Sequence, residues 1–482
     1  MMTLSFTSIV IFFLVIGLFS IHEKKSNSQD YLLASRSLGP WAIGLSTLAT
    51  GQSGFKFIGL VSYTYLTGVS SLWITVGWFI GDCLAWYSKV PELLRQKSFE
   101  ESSETIPEYL AKDKGVVDKR LSTFIGLILF LFLSSYAAAQ IASAGKSLQF
   151  VFHWTYESGV FLSAFFILLY CFAGGIRASV WTDVVQSLVM LLGMYALVFF
   201  SLQKSGGIQS LTEKLSLIHP SLALFFPQSF SFFTILFLSF ILSGFGVLGQ
   251  AHIMVRSMAL DSVANMAKVR TIYLYLGYTM SLGSYLLGLA ARVLYPELGS
   301  LEAEMIMPQI TQDLFHPIFS GCLLAALFAS AVSTADSQIL VCSSAFLIRH
   351  SSKNNYLKLK LATFITILFT LFLAIKNSHV FTLVMFSWSV LASSFTALVI
   401  IKTKDQRPPS NICFWMIICG TLSSIMWRSF GLHQVMYESL PGIFFSFLPY
   451  FIWSKIKKSN KNELLSKKEK EFISTKSFIT NL

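Results

Sequence analysis

Residues 50–59 read TGQSGFKFIG and place a lysine, Lys56, in the middle of an apolar stretch running from about Trp41 to Leu66. At that depth a lysine costs about 2.5–3.5 kcal/mol on insertion scales, so it needs a partner or a task. Asp82, in WFIGDCLAWY on the next apolar stretch, offers a partner. With a turn centred near Gly68, Lys56 lies 12 residues before it and Asp82 14 after. On regular helices rising about 1.5 Å per residue, both then sit roughly 18–21 Å below the turn and can meet. Two chemistries fit this pair. A fixed ion pair neutralises both charges and does nothing more. A tethered cation beside a binding cavity, its proton affinity altered by its surroundings, can instead work at that site.

Small and polar residues interrupt three of the apolar stretches, as STLATGQSGF, SGFGVLGQAH and SAVSTADSQ. Broken backbone is tolerated in hydrocarbon only where it is packed in protein or lines a watery cavity or ion site. Close helix packing through small residues accounts for any one of them alone. Three together, in the second, seventh and ninth stretches, point to a binding site near the membrane midplane. The second and seventh are five apart, as two inverted five-helix repeats require when each opens with a broken helix. That spacing predicts a transporter.

The elements that hold these residues must be membrane helices. The chain is 54% hydrophobic and 12% charged over 482 residues, with 45 phenylalanines, a composition of polytopic membrane proteins. Thirteen runs are long enough to cross a hydrocarbon core of about 30 Å. They fall near 4–22, 41–66, 69–90, 121–145, 156–176, 181–202, 230–252, 271–294, 316–346, 359–376, 380–401, 411–428 and 441–455. The first has no basic residues before it and no small-residue cleavage site after it, so it reads as a retained anchor.

Every second loop is basic: segments 23–40, 91–120, 253–270, 347–360, 402–410 and the tail hold most lysines and arginines, whereas 295–314 carries Glu297, Glu302, Glu304 and Asp313. Positive charge marks the inner side, which sets the N-terminus outside and the C-terminus in the cytoplasm of a plasma (inner) membrane protein. The same topology explains the net charge of +12 without nucleic acid, for which no motif is present. The tail KIKKSNKNELLSKKEKEF reads as a solvated end or a contact to anionic lipid of the bilayer. All six cysteines lie in or beside apolar runs with no C-x-x-C pair and read as buried apolar residues. No metal cluster, P-loop, nucleotide fingerprint or nucleophile elbow is present, so no enzyme chemistry is expected and no cofactor beyond a coupling ion.

DYLLASRSLGPW at 30–41, GGIRASVWTDVVQS at 174–187, GQAHIMVRSMA at 249–259, STADSQILVCSSA at 333–345 and LPGIFFS at 440–446 resemble the sodium:solute symporter family, and within it the sodium/proline symporters. The resemblance spans nearly the whole chain. It implies an all-α fold of the leucine-transporter type, with ten core helices in two inverted repeats, about 41–202 and 230–402. The first helix and inner loop (1–40), two accessory helices (403–455) and the basic tail (456–482) flank that core. It also implies alternating access, in which sodium moving down its gradient drives import of a small organic solute.

Carried over from the family, the sodium ligands are Ala49, Gln52, Ser330, Ser333 and Thr334. The set is chemically sound, since a hard cation takes several oxygens, with carbonyls from a broken helix and hydroxyls from Ser and Thr. The solute site is implied at Ser53, Gly54, Tyr136, Ser243 and Val247, the last two standing where the proline symporters carry aromatic residues. Asp183 and Asp336 join Lys56 and Asp82 as coupling or gating candidates because a carboxylate is costly in a membrane; the position of Asp183 resembles a second cation site or cytoplasmic gate of some family members, although with Thr182 it reads equally well as a helix cap. His252, where those symporters have a nearby proline, reads as a hydrogen-bonded structural residue rather than a proton carrier. Gly51 stands in place of an aspartate important for sodium, and Lys56 in place of an apolar residue. Both changes weaken attraction for a cation and open the question of a proton in place of sodium. The expected activity is uptake of proline or a related amino acid or compatible solute. A non-transporting receptor on the same fold is the alternative, against which stands the absence of a signalling domain after about residue 455.

Overall fold

Backbone groups in hydrocarbon must be bonded within their own segment, and the apolar runs accordingly form helices. The computed structural model describes residues 1–19, 28–113, 115–226, 230–298, 303–345, 355–377 and 379–480. Glu302, residues 23–27 and 347–354 of two expected inner segments, and the tail side chains beyond 459 lie outside the described residues.

In chain order the main helices are α1 (Met2–Phe19), α2 (Pro40–Gly51), α3 (Leu60–Thr67), α4 (Leu72–Tyr87), α5 (Lys119–Phe152), α6 (Tyr156–Ser205) and α7 (Phe230–Phe245). They continue with α8 (Ala251–Ala259), α9 (Met266–Leu294), α10 (Pro317–Ala345), α11 (Asn355–Lys376), α12 (Val380–Thr403), α13 (Ser410–Ser429) and α14 (Ser439–Thr480). One small antiparallel ladder, Lys112–Asp113 with Val116–Val117, closes the loop before α5. Among the described residues, seven helices are long and apolar enough to cross a membrane, or eight if the pair bent by 49° at residues 249–251 is one span. Shorter apolar helical stretches among the described residues are Met2–Gly17 and Tyr156–Leu169.

The expected breaks in the second and seventh stretches are present. Helix α2 ends at Gly51, Gln52 leaves helical geometry (φ −93°, ψ 14°), and a π-turn at Phe55–Gly59 leads into α3. Helix α7 passes through a 3₁₀ turn, Gly246–Gly249, to Gln250 at φ −85°, ψ 91°, where α8 begins. The ninth stretch corrects the expectation, since α10 runs unbroken from Pro317 to Ala345. Its hydroxyls fold back on the preceding turn (Ser330 to Leu327 O, 2.7 Å; Ser337 to Ser333 O, 2.7 Å), and its many alanines favour helix. Every residue of α10 from Leu323 to Ala345 is buried, against α5, α6 and α1.

Two docked motifs fix one end of the helix bundle. Gly175 breaks α6 at φ 62°, ψ −147°, and a Cβ there would stand 2.4 Å from the carbonyl oxygen of Tyr31, so this turn requires glycine. Beside it Arg177 pairs with Asp30 at 2.7 Å, and the Tyr31 hydroxyl donates to Cys171 O at 2.9 Å. DYLLASR and GGIR, far apart in the chain, thus meet as one unit. Elsewhere Gly81 and Gly244 let α4 and α7 touch backbone to backbone; a Cβ on either would meet a carbonyl of the other helix at 2.0 Å. At the N-terminus of α12, Glu304 pairs with Lys146 and accepts the Val380 and Phe381 amides that open the helix, at 3.3 and 3.2 Å. The six cysteines are free, with Cys171, Cys342 and Cys413 buried and the other three half-buried.

Candidate functional site

The break after α2 exposes carbonyls that its own helix no longer uses, and α10 passes beside it. Ser333 Oγ lies 3.3 Å from Ala49 O, and Thr334 Oγ1 lies 3.4 Å from Ala49 O and 3.1 Å from Thr50 O. The same two hydroxyls lie 3.2 and 3.1 Å from Ser330 O. Clustered carbonyl and hydroxyl oxygens are the donor type that a hard cation takes. Four of the five expected cation residues therefore meet. Gln52 follows at the end of α2, and its side chain turns toward α9, accepting from Ser281 Oγ at 3.4 Å.

Next to this cluster a small cavity opens between the broken segment, α4, α5, α9 and α12. Trp78, Tyr136, Tyr273 and Trp388 form aromatic walls, and Gln52, Lys56, Thr75, Asp82 and Ser281 supply polarity. Trp388 is held by its indole N–H, which donates to Ser243 O at 2.8 Å, and by an edge contact to Trp78 at 5.4 Å.

Of the five expected solute residues only Tyr136 lines this cavity. Ser53 accepts the Phe55 amide at 3.3 Å, and the Gly54 amide donates to Gln140 Oε1 at 2.9 Å, so both serve the break itself. Ser243 faces away, its hydroxyl 2.5 Å from that of Ser439 on α14, and Val247 is buried in packing. Lys56 and Asp82 share the cavity, yet no ion pair joins them. The π-turn is the reason the helix arithmetic fails to bring them into contact, since it shifts Lys56 from the register of a regular helix. The Lys56 ammonium instead rests 5.5 Å from the Trp78 ring and 5.6 Å from that of Phe55.

Asp183 is not a helix cap. It lies within α6, fully buried, and its carboxylate accepts from Ser46 Oγ at 2.6 Å and from Arg256 Nη2 at 3.0 Å. Thr182 bonds back to Ala178 and Ser179. Asp336 joins the cluster through Ser179 (3.1 Å) and Ser337 (2.9 Å), both to Oδ1. Arg256 also donates to Ser46, Ser337 and His252 O. A contact of 3.3 Å between Thr50 and Ser337 connects this network to the hydroxyl cluster above it. His252 departs from expectation: it is buried against the edge of Tyr136 at 5.6 Å, and neither ring nitrogen has a hydrogen-bond partner among the described residues.

Sequence reasoning missed Arg256, Trp78, Tyr273 and Trp388. Arg256 carried a usable signal, a lone basic residue among apolar ones in AHIMVRSMA. The aromatic residues carried none in a chain with 15% aromatics.

A profile of the sodium:solute symporter family matches residues 31–420. The chain is 30% identical over 454 residues to the high-affinity proline transporter PutP of Bacillus subtilis, covering 92% of this chain and 95% of that protein. It is 28% identical over 482 residues to the sodium/proline symporter of Escherichia coli, covering 95% and 93%. Among solved structures it resembles the substrate-bound outward-open state of a Na⁺-coupled sialic acid symporter, with a TM-score of 0.76 at 19% identity over 95% of this chain and 98% of that one. It also resembles MhsT in complex with L-phenylalanine, with a TM-score of 0.58 at 13% identity over 85% and 98%. At these identities the likeness establishes the fold, which is of the leucine-transporter type.

Proposed function

The chain belongs to the sodium:solute symporter family, and from that premise we propose that this sodium-driven symporter imports proline or a closely related small amino acid. It is a membrane transporter and not an enzyme. The observation that carries the reading is the meeting of Ser333 and Thr334 with the Ala49 and Thr50 carbonyls directly beside an aromatic-walled cavity. In this reading Ala49, Ser330, Ser333 and Thr334, with the Gln52 backbone, take up sodium at the break of α2, and the solute occupies the cavity. Binding both favours closure of the outer path, and loss of the cation on the inner side releases the solute.

Residues 41–202 and 230–402 form the two inverted repeats of this reading, with the N-terminus outside and the C-terminus in the cytoplasm. The Asp183–Arg256–Asp336 network lies on the inner path and opens when the solute leaves. Sodium remains the coupling ion despite Gly51 and Lys56, because the hydroxyl and carbonyl set does not include either of them.

Competition for uptake of labelled proline tests the solute class. Unlabelled proline and small amino acids should each reduce uptake in proportion to their concentration, and sugars and nucleobases should not. Strong inhibition by a sugar or nucleobase with none by any amino acid contradicts the reading.

A further inference from the structure

Lys56 and Asp82 are, among the described residues, the charged side chains that line the central cavity, and they carry opposite signs. Neither is satisfied by the protein. Asp82 Oδ1 is buried without a hydrogen-bond partner, and Oδ2 receives only the Tyr273 hydroxyl, at 3.3 Å. Lys56 Nζ is steadied by the Trp78 and Phe55 rings at 5.5 and 5.6 Å, which offer no acceptor oxygen. Charges held in a membrane interior without partners are costly, and the cost is relieved by whatever pairs with them.

We propose that Lys56 and Asp82 are the two poles of the solute site: the ammonium takes the solute's carboxylate, and Asp82 takes the N–H groups of its protonated amine. This rests on the amino-acid reading above and adds the residues that recognise the two ends of the molecule. A zwitterion spanning the gap satisfies both charges at once, whereas a solute with one charge leaves the other pole unpaired. Asp82 Oδ1 lacks a donor, so the amine must keep at least one N–H; a quaternary ammonium has none to give. Trp78, Tyr136 and Trp388 then face the apolar body of the solute between its two ends. The pocket thus selects amino and imino acids over betaines, sugars and simple carboxylates.

The test is binding of labelled L-proline to the purified full-length protein, competed by three analogues. L-prolinamide lacks the carboxylate, tetrahydrofuran-2-carboxylate lacks the amine, and proline betaine lacks the N–H. The wild type should prefer proline over each by at least about 10-fold. Lys56→Met should erase the preference over prolinamide while keeping that over tetrahydrofuran-2-carboxylate, and Asp82→Asn should do the reverse and also admit proline betaine. Unchanged rankings in both variants, or one equal loss against all three analogues, overturn the proposal, since a structural pair has no reason to distinguish the ends of a ligand. A second measurement needs no variant: proline should shield Asp82 of the wild type from an apolar carbodiimide, read by mass spectrometry, and tetrahydrofuran-2-carboxylate should not. Equal labelling with and without proline contradicts the assignment. If the wild type binds no amino acid, the proposed function fails and this inference with it; if it binds proline and the variants keep its rankings, only this inference fails.

Discussion

Replacing Ser333 and Thr334 together by alanine should abolish the stimulation of uptake by sodium. The two hydroxyls converge on Ala49 O and Thr50 O at 3.1–3.4 Å and supply two of the oxygens assigned to the cation. Each bond to a charged group contributes about 1.5–3 kcal/mol, so losing both lowers sodium affinity by roughly 100-fold or more. The helix itself should survive. Alanine has the highest helix propensity, and α10 already reads AALFASAV before the pair. Uptake measured across a range of sodium concentrations, with thermal unfolding as a control, decides the matter. If the folded double variant keeps wild-type sodium dependence, the cation assignment is wrong.

The second large effect is expected at Arg256. This guanidinium is 1% exposed and pairs with Asp183, which is 0% exposed, while Asp336 lies in the same cluster, 2% exposed. Removing the cation leaves two carboxylates buried without it, and breaking such a pair costs about 3–5 kcal/mol. Arg256→Met should therefore lower the unfolding temperature sharply and abolish transport, and adding Asp183→Asn should recover much of the lost stability. Transport need not return with it, because the network is also the proposed inner gate. Thermal unfolding of the two variants beside the wild type tests this. An Arg256→Met protein as stable as the wild type would show that the cluster is not held by its charge pair.

What the sequence made legible follows from physics that acts locally. Glycine and polar residues inside the second and seventh apolar stretches announced broken helices, and the structure breaks them at Gln52 and Gln250. The same reasoning failed on SAVSTADSQ, because serine and threonine in a helix can satisfy themselves against the preceding turn and leave it intact. Lys56 was conspicuous because a charge in hydrocarbon always is. Its relation to Asp82 was not, since a π-turn changes which way a side chain points and no residue in FKFIG signals one. Arg256 was counted with an inner loop at 253–270, whereas Ala251–Ala259 is a buried helix. The two solute residues inherited from the seventh stretch, Ser243 and Val247, fell outside the cavity because small side chains there pack against α14 and the core instead of reaching the solute space.

The most direct measurement is uptake of labelled proline into proteoliposomes holding the purified protein, with sodium and proton gradients imposed separately. An inward sodium gradient at equal pH should drive proline to accumulate above its external concentration, and a proton gradient without sodium should not. Accumulation driven by protons alone, or no accumulation of proline or any small amino acid under either gradient, would contradict the account.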